Sequence, residues 1–233
     1  MMIAGGVIGG APLLEPAVTF VGRRSAADAS SSHSFSSLDI GPAAKGRNQK
    51  WAIGCITVQG SSSPNLTVSN IDVGGVQAAV VFSTTVTTAT SLRVQYVFFM
   101  CRIDDLDGEI TVSFEFNKSD FLNNFFLLTT SNIGGSVHDT ASDGGGGSAT
   151  LSIDCEAGGA IVAFGLYGYS GGGTPTTAEF NNLTTLDWVD SSVGWTAAAE
   201  LFSSAQTALD VSYDPVPNSN QCSAAAISLP YAL

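Results

Sequence analysis

In Trp51-Ala52-Ile53-Gly54-Cys55-Ile56, the side chains of Trp51, Ile53 and Cys55 alternate with those of Ala52, Gly54 and Ile56. A period of two is the signature of a β-strand whose two faces meet different surroundings. Moving outward, Leu66, Val68 and Ile71 continue the pattern, and Gly74-Gly75, a pair that readily takes positive φ, turns the chain into residues 76–83 as a hairpin. Residues 92–103 are rich in Val, Phe and Tyr, and the acidic turn Asp104-Asp105-Leu106-Asp107-Gly108 returns the chain into Ile110, Val112, Phe114 and Phe116, which predicts a second hairpin. A third is predicted where 150–155 and 160–167 flank Glu156-Ala157-Gly158-Gly159.

Further strands are expected over 17–22, 33–40, 121–129, 183–189, 194–202, 208–213 and 223–229. Helix competes with strand over 196–208, where Ala197-Ala198-Ala199-Glu200-Leu201 has helical propensity, but the strand-and-turn spacing on either side favours sheet. The glycine run from Gly144 to Gly147 is expected to be a flexible loop, since it lacks the Lys and Ser/Thr of a phosphate-binding loop. About a dozen strands without strand–helix alternation imply an all-β fold, an antiparallel two-sheet β-sandwich or jelly roll. No sequence repeat argues for a propeller or solenoid. We expect an apolar N-terminal arm over 1–16 and a single β-sandwich domain over 17–233.

Eight basic residues against twenty acidic ones give a net charge of -12, which would repel a phosphate backbone, so no direct nucleic-acid binding is expected. Arg23, Arg24, Lys45, Arg47 and Lys50 cluster early in the chain, either as solvated loop charges or as a patch facing an acidic partner. Residues 1–11 have no basic n-region and no continuous aliphatic core, which speaks against a signal peptide. Residues 157–178 are uncharged, but Gly, Ser, Thr and Pro175 dilute them and their aliphatic centre, 160–166, is only strand-length, so no membrane span is expected. Cys55, Cys101, Cys155 and Cys222 are widely spaced in apolar strand-like runs, without a Cys-x-x-Cys pair. Buried free thiols are favoured, with two disulfides as the alternative.

Gly168-Tyr169-Ser170-Gly171-Gly172 matches the Gly-x-Ser-x-Gly pattern of hydrolases after a strand. A nucleophile elbow needs a helix after the serine and a histidine later in the chain, whereas Gly173-Thr174-Pro175 follows and both histidines, His33 and His138, come earlier. Asp104, Asp105, Asp107 and Glu109 do not fit a calcium loop, because Ile103 falls at its first ligand position and Phe114 at its twelfth. Trp51, Trp188, Trp195, Tyr167 and Tyr169 would serve sugar stacking if exposed and core packing if not. We therefore assign no catalytic, cofactor-binding or metal-binding residue and expect no enzyme and no cofactor.

The segments Ala17-Val18-Thr19-Phe20-Val21-Gly22, Leu66-Thr67-Val68 with Asp72-Val73-Gly74-Gly75-Val76-Gln77-Ala78, and Asp139-Thr140-Ala141-Ser142-Asp143 leading into Gly158-Gly159-Ala160-Ile161-Val162-Ala163 give the chain a style. It resembles the Gly/Thr-rich β-sandwich virion proteins of tailed bacteriophages, of decoration, fibre or tail-tip type. The resemblance implies a non-enzymatic virion structural protein, assembled in the host cytoplasm and carried on the particle. A capsid decoration or cement role is preferred, and a tail-fibre or tail-tip receptor- or carbohydrate-binding module is the alternative. Implied partners are other virion proteins, further copies of this chain in a homo-oligomer, a trimer among the options, and for the alternative a host surface glycan. The apolar arm would dock on neighbouring subunits.

Overall fold

The computed structural model describes residues 15–26, 30–60, 65–89, 91–120, 124–168, 177–188, 193–216 and 221–232. Seventeen strands are formed there, every pairing between them is antiparallel, and no helix occurs among the described residues. In the first half of the chain they are β1 (Ala17–Arg24), β2 (Ser30–Asp39), β3 (Lys50–Gly60), β4 (Val68–Val73), β5 (Val76–Gln77), β6 (Ala79–Thr87), β7 (Arg93–Arg102), β8 (Glu109–Asp120) and β9 (Asn124–Ser131). In the second half they are β10 (Asp139–Gly145), β11 (Ala149–Cys155), β12 (Ala160–Gly168), β13 (Thr177–Phe180), β14 (Thr184–Trp188), β15 (Val193–Leu201), β16 (Gln206–Val216) and β17 (Gln221–Leu229).

The strands form four sheets, not the two expected. The first inner sheet runs β1-β9-β3-β7-β6 and the first outer sheet β2-β8-β4-β5; the second inner sheet runs β10-β17-β12-β15-β14 and the second outer sheet β11-β16-β13. Replacing β1, β2, β3, β4, β6, β7, β8 and β9 by β10 to β17 in order converts the first pair of sheets into the second, apart from the two-residue β5. Each half is thus a jelly roll of the same topology, and the repeat is one of connectivity with no echo in sequence.

Three hydrophobic cores separate four layers. Ala52, Ile56, Val97, Phe99, Phe125 and Leu127 face the first outer sheet, while Ile53, Cys55, Tyr96, Phe98, Phe126 and Leu128 from the same strands face the second inner sheet. On that sheet Val162, Phe164, Trp195, Ala197, Ala225 and Ile227 complete the middle core, and Ile161, Ala163, Ala198, Ala224 and Ala226 turn to the second outer sheet. The alternation at 51–56 was legible, but both of its faces are buried. The same burial explains 197–199: a strand enclosed on both faces gains more from packing than alanine gains from a helical backbone.

Gly54 marks how tightly the first jelly roll is filled. A Cβ at this position would lie 2.0 Å from the Phe99 ring, and at Gly165 in β12 it would lie 2.6 Å from the ring of Tyr213. In both inner sheets a glycine on the middle strand makes room for an aromatic that fills the adjoining outer core.

The hairpin predicted at Gly74-Gly75 forms only at its tip: φ of 61° and 91° at the two glycines joins β4 to the two-residue β5, while the rest of the predicted arm leaves as β6 for the first inner sheet. The other two predicted hairpins do not form. The turn at 104–108 carries the chain from β7 in the first inner sheet to β8 in the first outer one, and 156–159 carries it from β11 to β12, again between sheets. Turn residues fix a chain reversal but leave open which sheet receives the returning strand. Strands β10 and β13 were not expected. The glycine run read as a flexible loop instead ends β10, where Gly144 lies under β6: a Cβ there would meet Val86 Cγ1 at 2.3 Å and the Thr87 carbonyl oxygen at 2.8 Å.

Adding a methyl group inside so full a core is expected to cost stability. Gly54→Ala should lower the unfolding free energy by about 1–3 kcal/mol, read as a shift of the urea midpoint, because Phe99 is held by Phe125 stacked at 6.1 Å. A midpoint equal to wild type would show that the ring moves aside freely.

Candidate functional site

Where the chain leaves β2, the segment 39–44 folds over the start of β3. It pairs with the acidic turn through Ile40 N–H to Gly108 O (3.0 Å), Gly108 N–H to Gly41 O (3.0 Å) and Ala44 N–H to Asp104 O (2.8 Å). Lys50 is drawn underneath and is 6% exposed. Its ammonium donates to the carbonyl oxygens of Pro42 (2.8 Å), Gly41 (3.2 Å) and Leu106 (3.4 Å). Burial lowers the Lys50 pKa, opposed by the fields of Asp107 and Asp39. A cleft of about 350 Å³ opens beside it, walled by Thr19, Asp39, Asn48, Gln49, Thr129 and Ser131 among others.

A polar knot closes the floor of this region. Asn132, fully buried with φ of 56°, accepts from Gln49 N–H at 2.8 Å, donates its amide to Asn48 Oδ1 at 3.2 Å, and its carbonyl oxygen accepts from Ala232 N–H at 2.8 Å. The approach to β3 in one jelly roll, the linker that follows β9, and the tail after β17 of the other are thereby joined. The sequence signal was weak: Asn is among the few residues that tolerate a left-handed backbone, but nothing marks Asn132 as buried.

The acidic turn is structural. Asp104 accepts from Lys50 N–H at 2.7 Å and from Arg102 Nε at 2.6 Å, while Asp105, Asp107 and Glu109 are exposed. No group of three or more His, Cys, Asp or Glu suited to a metal occurs among the described residues. The early basic cluster is dispersed: Arg23 pairs with Asp187 at 3.0 Å, Arg24 donates to the carbonyls of Arg23 and Ser37, Lys50 is caged, and Lys45 and Arg47 are exposed.

Of the residues weighed for hydrolysis, Tyr169 and Ser170 lie outside the described residues. His33 sits in the first outer core against Phe116 and Phe114, with ring centroids at 5.1 and 5.5 Å, and its Nε2 has no partner among the described residues. His138 leads into β10 and pairs through Nδ1 with Glu156 at 3.2 Å. The two histidines therefore belong to different jelly rolls. Trp195 and Tyr167 are core residues at 4% and 0% exposure, and half-buried Trp51 donates its indole N–H to Gln49 at 3.3 Å. The side chains of Trp188 and Tyr169 are outside the described residues.

Cys55, Cys101, Cys155 and Cys222 are buried and free. Burial pushes Cys101 and Cys222 up to about 12 and Cys155 up to about 11, and raises Cys55 well above its ordinary value. Such thiols are withheld from both nucleophilic chemistry and metal ligation. No family model matches the chain, and no curated protein or solved structure matches it.

Two measurements follow from this geometry. A thiol-reactive dye should label none of the four cysteines in the native protein and all four in denaturant; rapid native labelling would contradict their burial. Burial lowers the His33 pKa, a backbone hydrogen bond to Ser30 opposing it. The stability held by neutral His33 is therefore present above the free-imidazole value of about 6.5 and lost as pH falls through the lower folded value. Urea unfolding from about pH 7.5 down to about pH 5 should show a smaller loss for His33→Phe than for wild type.

Proposed function

We propose that this chain is a non-enzymatic structural protein of a bacteriophage virion, seated on the capsid surface as a decoration or cement subunit. The observation that carries this is the stack of two like-wound jelly rolls, an architecture that viral coat subunits share with lectins. The large side chains are spent on three internal cores, and the outermost strands turn short polar residues outward, as in Ser30, Ser32 and Ser34 of β2 and Thr150 and Ser152 of β11. Such faces suit a subunit that adheres to a lattice by shape and hydrogen bonding while its net charge of -12 keeps it soluble. The fold-level link is an analogy, since jelly rolls host many functions.

The tail-tip carbohydrate alternative loses ground with Trp195 and Tyr167 in the core, because a sugar-stacking platform needs an open aromatic face. The capsid role also implies several copies meeting around a lattice symmetry axis, with a trimer as one form.

Particles of the phage that encodes this chain provide the test. Peptide mass spectrometry of purified virions should find it in numbers comparable to the lattice subunit, and cryo-electron microscopy should place the four-layer stack on the outer capsid. Density confined to the tail tip would transfer the role to host recognition, and absence from purified particles would end the virion assignment.

A further inference from the structure

Leu201, at the end of β15, is 39% exposed and Tyr231 is 37% exposed; with Val80 and Val216 they are the exposed large apolar side chains among the described residues. Leu201 and Tyr231 belong to one strip. A cleft of about 250 Å³ is lined by Pro16, Gly158, Leu201, Phe202 and Ser203, and a Cβ at Gly158 would touch Tyr231 at 3.4 Å. A second cleft, of about 190 Å³, shares Leu201 and continues between Val18 of β1 and Thr184, Leu186, Ala199 and Glu200 of the second inner sheet. The strip is thus a groove along the seam of the two jelly rolls, apolar where Pro16, Leu201 and Phe202 line it and bordered by Thr184 and Glu200 farther along.

Pro16 is also where the arm joins the fold. The preceding fourteen residues, Met1 to Leu14, carry no charge and no hydroxyl, in a chain with a net charge of -12. Pro16 lines the groove, and Leu14 and Leu13 precede it in sequence by two and three residues. Tethering over so short a span gives an effective concentration on the order of millimolar, which a second copy cannot match in dilute solution.

We propose that the groove formed by Pro16, Leu201, Phe202 and Tyr231 is the docking site of the chain's own N-terminal arm, with Leu13 and Leu14 as the residues that cover it. This occupant is independent of the virion reading and differs from the neighbour docking that the family resemblance implies. It makes the arm part of the seam: β1, which the arm extends, already lies across the second jelly roll through Arg23 and Asp187.

Because the four native thiols are buried, introduced cysteines report on the groove without interference. The full-length Leu14→Cys/Leu201→Cys protein, oxidised at micromolar concentration, should form an intramolecular disulfide, seen as a monomer with a linked pair of peptides. A disulfide-linked dimer would transfer the groove to a second copy, and unlinked monomer would overturn docking altogether. As an independent readout, the Leu201→Cys thiol should label with maleimide at least tenfold faster when Leu13→Asp and Leu14→Asp are added. Equal labelling rates would also overturn the proposal.

Discussion

The contact on which the rest depends is the one between the two inner sheets. Stacked sheets lie about 10 Å apart, and here that gap is filled from both sides. The first inner sheet sends in Tyr96, Phe98, Met100, Phe126 and Leu128, and the second answers with Val162, Trp195, Ile227, the small Ala197, Ala199 and Ala225, and the ring of Phe164, which meets Phe126 at 4.8 Å and Phe98 at 5.5 Å. The Tyr96 hydroxyl, which must find a partner so far from water, is met by the Ser223 hydroxyl at 2.8 Å and the Ser223 carbonyl at 3.0 Å.

At the margins the same contact is finished by polar and small residues. Arg23 reaches Asp187 on one side, and on the other the Thr84 and Ser142 hydroxyls lie 3.2 Å apart above the glycines of β10. The two margins are not equivalent: β10 lies against β6, whereas β1, the counterpart of β10, meets β15 more than β14.

Periodicity made most strands legible, because alternation at 51–56 or 110–116 follows directly from a pleated backbone. It could not assign strands to sheets. A residue buried between two inner sheets and one buried between inner and outer sheets are equally apolar, so four layers read as two. β10 was hidden by its own chemistry: Gly144 and Gly145 look like a loop, yet the missing side chain of Gly144 lets β6 come close and that of Gly145 makes room for the Ser148 carbonyl. Of the site, the burial of the thiols was legible from their apolar neighbourhoods. The caging of Lys50 was not, because its three acceptors are backbone carbonyls, which carry no residue identity for a sequence to show.

A symmetric dimer of identical jelly rolls would place every substitution on both of its outer faces at once. With both jelly rolls in a single chain, the sheet containing β2 and β8 and the sheet containing β11 and β16 are encoded separately. One side can change its chemistry while the other stays fixed, so the molecule has a front and a back, a polarity that a symmetric pair of identical subunits cannot possess.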